Sequence, residues 1–192
     1  QGTPIQKNKT IIPLEELRRI SIFFKPFEFY TIKISGGEPT MHPEFRKICS
    51  ELRGLFVAHK YQMATNGFKL EEFKDCIHIF DKIELAHYPS INDLVYNRIM
   101  RLNLPNVYPV IRRDYIDMED IHKESNLNKR NIYNHCAFAR VKKIVDMRIY
   151  PCCSIFGESV RKNIDVDKIS IPIDKDWREN LAGLDINQYC KH

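Results

Sequence analysis

The chain has 192 residues, 43% hydrophobic and 29% charged, a composition that excludes a disordered chain and allows one sizeable core or a domain with an appendage. Its 30 basic and 25 acidic residues leave a formal charge of +5, and pairs such as Arg112-Arg113, Lys129-Arg130 and Lys142-Lys143 are scattered rather than gathered in a stripe, which argues against nucleic acid as a partner. No apolar run approaches the roughly 18 to 20 residues that span a bilayer and no basic-then-apolar leader opens the chain, so the expectation is a cytoplasmic protein without a membrane partner.

Gln1 to Thr10 shows no apolar periodicity and reads as loop. A helix is predicted from Pro13, with Glu15 and Glu16 in its first turn and Leu14, Leu17, Ile20 and Phe24 on one face. Phe27 to Ser35 reads as a strand, apolar on both faces in its second half, as befits a parallel strand covered by helices. It runs into Gly36-Gly37-Glu38-Pro39-Thr40-Met41-His42-Pro43. Glycine lacks a Cβ, so Gly36 and Gly37 can take positive φ and let the backbone come against a ligand. Glu38 places an anion at the carboxyl end of a strand, where open α/β folds bind ligands, and an ammonium group is its natural partner. Pro43 and Glu44 read as the first turn of a helix whose Phe45, Ile48, Cys49 and Leu52 fall at i, i+3, i+4 and i+7, with Cys49 a core residue.

Val57 to Ala64 gives a second strand, stopped by the turn Thr65-Asn66-Gly67. A short helix with Leu70, Phe73, Ile77 and Phe80 follows, and Cys76 on its border is structural. Lys82 to Tyr88 is the third strand. Ser90 and Asp93 then resemble a capping box for a helix with the stripe Ile91, Leu94, Val95, Ile99 and Leu102. Asn106 to Ile111 is the fourth strand and Met118 to Glu124 a further helix. Strands that alternate with helices every 25 to 30 residues or so mean βαβ units around a parallel sheet. The segments Gly36-Gly37-Glu38, Thr65-Asn66-Gly67 and Tyr88-Pro89-Ser90 all follow strands, so they share the carboxyl rim.

From about residue 125 the pattern changes. A polar, basic linker leads to His135-Cys136, a hairpin with strands near Val141 to Val145 and Arg148 to Tyr150, and Pro151-Cys152-Cys153. Ile164 to Ile171 reads as a strand, Asp174 to Leu181 as a helix, and the last residues are Tyr189-Cys190-Lys191-His192. Six cysteines are too sparse for a disulfide scaffold, and Cys136, Cys152, Cys153 and Cys190 point instead to a local site. Thiolates of this kind bind soft metals and iron-sulfur clusters.

The string Ile34 to Pro43 closely resembles the second-strand motif of the radical SAM family, and Tyr150-Pro151-Cys152 with the surrounding cysteines resembles that family's SPASM or twitch extension. The resemblance implies an α/β fold: a partial (β/α)6 barrel of parallel strands over residues 1–124, and a small α+β auxiliary-cluster extension over residues 125–192. It implies that Gly36, Gly37, Glu38 and Pro39 hold the methionyl amine of S-adenosylmethionine, with Thr65, Asn66 and Gly67 bordering the cofactor. Ser90 corresponds to a strand-end serine that touches the cofactor, unless it serves as a cap. Arg112 suits a carboxylate or phosphate, or stands solvated. An auxiliary 4Fe-4S cluster would take Cys136, Cys152 and Cys190. Either a further cysteine past the last residue, or Cys153 or His192, completes that set, which would then suit zinc as readily as iron.

The family's CxxxCxxC triplet is absent from the chain, and the resemblance implies that the first strand and the triplet lie upstream of Gln1. The intact protein is thus expected to cleave S-adenosylmethionine reductively and to abstract hydrogen from a small-molecule or peptide substrate. An electron donor such as flavodoxin or ferredoxin would supply it. The alternative is a non-enzymatic binding module with structural zinc held by the late cysteines.

Overall fold

The computed structural model describes residues 11–111, 141–152 and 169–183. The chain divides into two compact units, Pro13–Tyr115 and Gln1–Ile12 with Ile116–His192.

In the first unit, α1 (Leu14–Phe24) starts just after Pro13, which occupies the extended N-cap position, and buries Leu14, Ile20 and Phe24. Its first N–H is satisfied by a carboxylate from elsewhere: Leu14 N donates to Glu44 Oε2 at 3.3 Å. Strand β1 (Glu28–Ile34) follows, then a 3₁₀ turn (Pro39–Met41), α2 (Phe45–Leu55) and β2 (Val57–Thr65). Phe45, Ile48, Cys49 and Leu52 are buried as their spacing requires. The proline that opens a helical turn is Pro39, in the 3₁₀ turn, while Pro43 lies ahead of the α2 cap, Glu44.

Two short 3₁₀ turns, Leu70–Phe73 and Ile77–Ile79, replace the α-helix expected between the second and third strands. Leu70, Ile77 and Phe80 are nonetheless buried as their spacing implies. Strand β3 (Lys82–His87), α3 (Asp93–Arg101) and β4 (Val107–Ile111) complete the unit. The four strands are all parallel, in the order β1-β2-β3-β4. This is an α/β sheet compatible with part of a (β/α) barrel.

The two faces of this sheet differ. Tyr61, Met63, Ile83 and Leu85 are buried on the face where α2 and α3 pack: Arg53 of α2 lies over the Tyr61 ring, and Val95 and Ile99 of α3 meet Leu85 around Gly67. The register Lys33↔Gln62↔Lys82 puts these three residues, with Glu84, on the other face. Lys33 is exposed, so β1 is not apolar on both faces as its sequence suggested.

The stripe expected on α3 also shortens. Ile99 is buried, but Ile91 and Leu94 are 83% and 88% exposed. The cause lies before the helix: Ser90 has φ 66, and the helix opens only at Asp93, so Ile91 is outside it and Leu94 sits beside the inward-facing row.

In the second unit, β5 (Lys143–Val145), β6 (Arg148–Tyr150) and β7 (Ile171–Pro172) form an antiparallel sheet, followed by α4 (Trp177–Ala182). The predicted hairpin is present. Its turn residues Asp146 and Met147 have φ of 50 and 53, the paired left-handed conformation of a two-residue hairpin turn, here reached without glycine. Val145, Tyr150, Cys152 and Ile169 make its buried cluster, with Ile12 packed against them. No described helix is long and apolar enough to cross a membrane.

Gly67 has φ +85, and a Cβ there would come within 2.7 Å of Leu85 Cδ1 and 3.3 Å of Ile99 Cγ1. Gly67→Ala is therefore expected to lower stability by about 1–3 kcal/mol through strain and overpacking. Urea denaturation of the two proteins checks this.

Candidate functional site at the carboxyl rim of the parallel sheet

Three loops meet at the carboxyl end of the sheet, and one carboxylate ties two of them. Glu38 is the extended N-cap of the 3₁₀ turn. Its Oε1 accepts from Thr40 N at 3.1 Å, Thr40 Oγ1 at 2.7 Å and Thr65 Oγ1 at 2.5 Å, and its Oε2 accepts from Asn66 N at 2.7 Å. Thr40 and Thr65 are buried, at 1% and 3% exposure, so their hydroxyls need such partners. Thr65 Oγ1 in turn accepts from Gly67 N at 2.9 Å, and Asn66 Oδ1 accepts from Phe68 N at 2.9 Å, which sets the turn after β2.

A second side chain joins β2 to β3. Asn92 Nδ2 donates to Ala86 O at 2.8 Å and to Asn66 O at 3.3 Å, while its Oδ1 accepts from Tyr88 N at 2.8 Å. Asn92 was not among the residues singled out in the sequence. The available signal was an asparagine immediately before a predicted helix, a residue type favoured at helix caps.

The Glu38 carboxylate is thus turned into the protein. The rim groups left open are peptide groups: Gly36 and Gly37 are exposed and, among the described residues, form no hydrogen bond. Gly36 has φ 138, a conformation reserved for glycine, and a Cβ on Gly37 would meet nothing within 4 Å. Open, neutral peptide groups beside a fixed carboxylate are chemically able to meet a small polar or cationic ligand.

At the end of β3, Ser90 N donates to Asp93 Oδ2 at 3.1 Å, which is half of the expected capping box; the cap position itself belongs to Asn92. Asp93 Oδ1 lies 2.6 Å from His87 Nε2, and the His87 ring stacks on Tyr96 at 4.0 Å. His87 foremost, and then the Ser90 N–H, hold the Asp93 carboxyl below its usual range.

On the open face of the sheet, Glu84 Oε2 lies 2.5 Å from Lys33 Nζ and Oε1 lies 3.1 Å from Lys82 Nζ. Burial pushes the Glu84 carboxyl up, but the two ammoniums outweigh it and hold it below its ordinary value. Sequence reading missed this triad because its members meet only through strand register.

Cys49 is 1% exposed and burial drives its thiol well above the ordinary range, in keeping with a core role. Cys76 Sγ donates to Phe73 O at 3.4 Å. Cys152 is buried in the hairpin cluster. Arg112, Cys136, Cys153, Cys190 and His192 lie outside the described residues, as does the Met118 to Glu124 helix. Among the described residues, no group of three or more His, Cys, Asp or Glu side chains is placed to hold a metal ion.

No family model matches the chain. It is 32% identical over 69 residues to GTP 3',8-cyclase of Mannheimia succiniciproducens, covering 36% of this chain and 20% of that protein. It is 29% identical over 83 residues to GTP 3',8-cyclase of Haemophilus ducreyi, covering 43% and 24%. GTP 3',8-cyclase is a radical SAM enzyme. This distant homology supports the radical SAM family. The segment matched is between a fifth and a quarter of the length of these relatives.

Glu38→Gln keeps the size of the side chain but replaces one acceptor oxygen by a donor, leaving part of the Thr40, Thr65 and Asn66 set unmet. It is expected to lower stability by about 1.5–3 kcal/mol in urea denaturation. A pH test follows from Glu84. Its folded carboxyl is depressed, so it contributes stability above the ordinary carboxylate pKa and loses it as pH falls through the folded value. The melting-temperature gap between wild type and Glu84→Gln should be flat near neutrality and close in acid.

Proposed function

We propose that this chain belongs to the core of a radical SAM enzyme and that Gly36 and Gly37 receive the methionyl amine of S-adenosylmethionine at the sheet rim. The observation that carries this reading is the glycine turn held open by Glu38, with its peptide groups unpartnered while the carboxylate is spent on Thr40, Thr65 and Asn66. The distant homology to GTP 3',8-cyclases, which are radical SAM enzymes, supports it.

In this reading Glu38 and Asn92 are positioning residues. They fix the first turn against the second and the second against the third, so the ligand meets a rim already in shape. Thr65, Asn66 and Gly67 border the cofactor, and the (β/α)6 barrel is completed by strands beyond the four described. Bound S-adenosylmethionine with a reduced cluster would supply the oxidising radical that takes hydrogen from substrate. The cysteines at 49, 76, 136, 152, 153 and 190 include no CxxxCxxC spacing, so the ligands of that cluster are assigned outside these residues. Cys136, Cys152 and Cys190, with Cys153 or His192 as the other candidates, are assigned to an auxiliary 4Fe-4S site. A cytoplasmic setting and a flavodoxin or ferredoxin as electron donor complete the proposal.

The test is anaerobic iron-sulfide reconstitution of the full-length protein, followed by an assay for 5'-deoxyadenosine under reducing conditions. Product is expected, and Gly37→Val is expected to reduce it by about tenfold or more, because the new side chain would start in open space at the rim, where a Cβ meets nothing within 4 Å. These 192 residues alone are expected to give none. A fully loaded protein that makes no 5'-deoxyadenosine, or one that holds only zinc, overturns the reading.

A further inference from the structure

Two thiols of the first unit take no part in the rim, yet the fold brings them together from segments far apart in the sequence. Cys49 lies on the buried face of α2, and Cys76 caps the 3₁₀ turn Ile77–Ile79. The residues around them fasten α2 to that segment. The Phe45 and Phe73 rings meet edge to face at 4.8 Å, Arg46 donates to Glu72 O at 2.5 Å and pairs with Asp75, and Arg53 donates to Ile79 O at 2.6 Å. Within this setting the Cys49 thiol donates toward the Cys76 sulfur, and Cys76 Sγ donates to Phe73 O at 3.4 Å.

The two thiols are not equivalent. Cys49 is 1% exposed, and burial drives its thiol far up. Cys76 is half-buried; burial raises its thiol as well and Asp75 adds to this, but the Cys49 thiol and the Arg46 guanidinium both favour its thiolate. The thiolate is the form that attacks sulfur, so the reactive member is Cys76. An accessible thiol that attacks, with a shielded one in reach to resolve the product, is the pairing that disulfide exchange requires. A core position that needs a small apolar side chain accounts for Cys49 alone. It gives no reason for a second thiol against it at the edge of the core.

We infer that Cys49 and Cys76 form a thiol-disulfide exchange site, at which a small-molecule disulfide closes a cross-link between α2 and the segment that follows β2. The Cys76 thiolate attacks one sulfur of the small disulfide, an S–S bond forms at Cys76, and the other half leaves as a thiolate. Cys49 then gives up its proton, its sulfur attacks Cys76 Sγ, and the second half leaves. The protein pair loses two protons and two electrons, and the oxidant takes up both to become two thiols. The closed link constrains the unfolded chain between the two cysteines, so it should raise the melting temperature. Neither cluster nor S-adenosylmethionine enters this chemistry, which stands apart from the radical SAM reading.

The test is treatment of the folded, reduced full-length protein with oxidised glutathione, followed by alkylation, tryptic digestion without reductant and mass spectrometry. A species that joins Ile48–Arg53 to Asp75–Lys82, lighter by two hydrogens than the two peptides together, is expected. It should be about tenfold more abundant than any other link made by Cys49 or Cys76, because the fold presents each thiol to the other. Its formation should speed up as pH rises, since both thiols are held above their ordinary range. Cys49→Ala should stop with glutathione attached to Cys76, and Cys76→Ala should leave Cys49 unmodified, each variant being checked by its circular dichroism spectrum. Where a variant does not fold, the pairing in wild type decides by itself. Absence of the joined peptides from folded wild type, glutathione retained on Cys49 instead of Cys76, or the same mixture of links with and without urea overturns the inference.

Discussion

The carboxylate of Glu38 is the constraint on which the rim depends. It accepts from two backbone N–H groups and two buried hydroxyls, and those donors belong to two different strand ends. A charged acceptor with several short donors is stronger than a neutral hydrogen bond and costs more to leave unmet. The glycine turn before it is therefore held between β1, which pairs with β2 as far as Ile34, and the tethered Glu38. Its peptide groups face solvent while the chain on either side is anchored, which is the condition for binding a ligand by backbone without first ordering a loop.

Asn92 extends the same device to the third strand. Its amide reaches Ala86 O and Asn66 O, and its carbonyl accepts from Tyr88 N. With Asn92 in these bonds α3 opens only at Asp93, and Ile91 ahead of it and Leu94 on its outer side lie in solvent. Local propensity thus yields to the linkage between loops. On the open face the same trade is made with charge: Lys33, Lys82 and Glu84 occupy positions that a doubly covered parallel sheet would fill with aliphatic residues.

The parallel sheet and its rim were legible because their signals are local. Hydrophobic runs bounded by Gly36-Gly37, by Thr65-Asn66-Gly67 and by Tyr88-Pro89-Ser90 fix where strands stop, and the spacing of Phe45, Ile48, Cys49 and Leu52 fixes which face of α2 is buried. The hairpin at Asp146 and Met147 was found from its flanking strands although its turn lacks glycine. What could not be read depends on pairs far apart in sequence. The inward turn of Glu38 requires Thr65 and Asn66, and the triad on the open face requires β1 and β3 to flank β2 in register. The 3₁₀ turns at Leu70–Phe73 and Ile77–Ile79 keep the apolar spacing of a helix. Periodicity alone does not separate a broken helix from a whole one.

Residue-resolved backbone hydrogen exchange tests this arrangement most directly. The amides of Thr40 and Asn66, which donate to Glu38, should exchange slowly, and those of Gly36 and Gly37 should exchange as freely as in an unstructured peptide. In Glu38→Gln, Thr40 and Asn66 should lose protection while Met63 in the middle of the sheet keeps it. Protected Gly36 and Gly37 amides, or an Asn66 amide equally protected without the Glu38 carboxylate, would contradict the account.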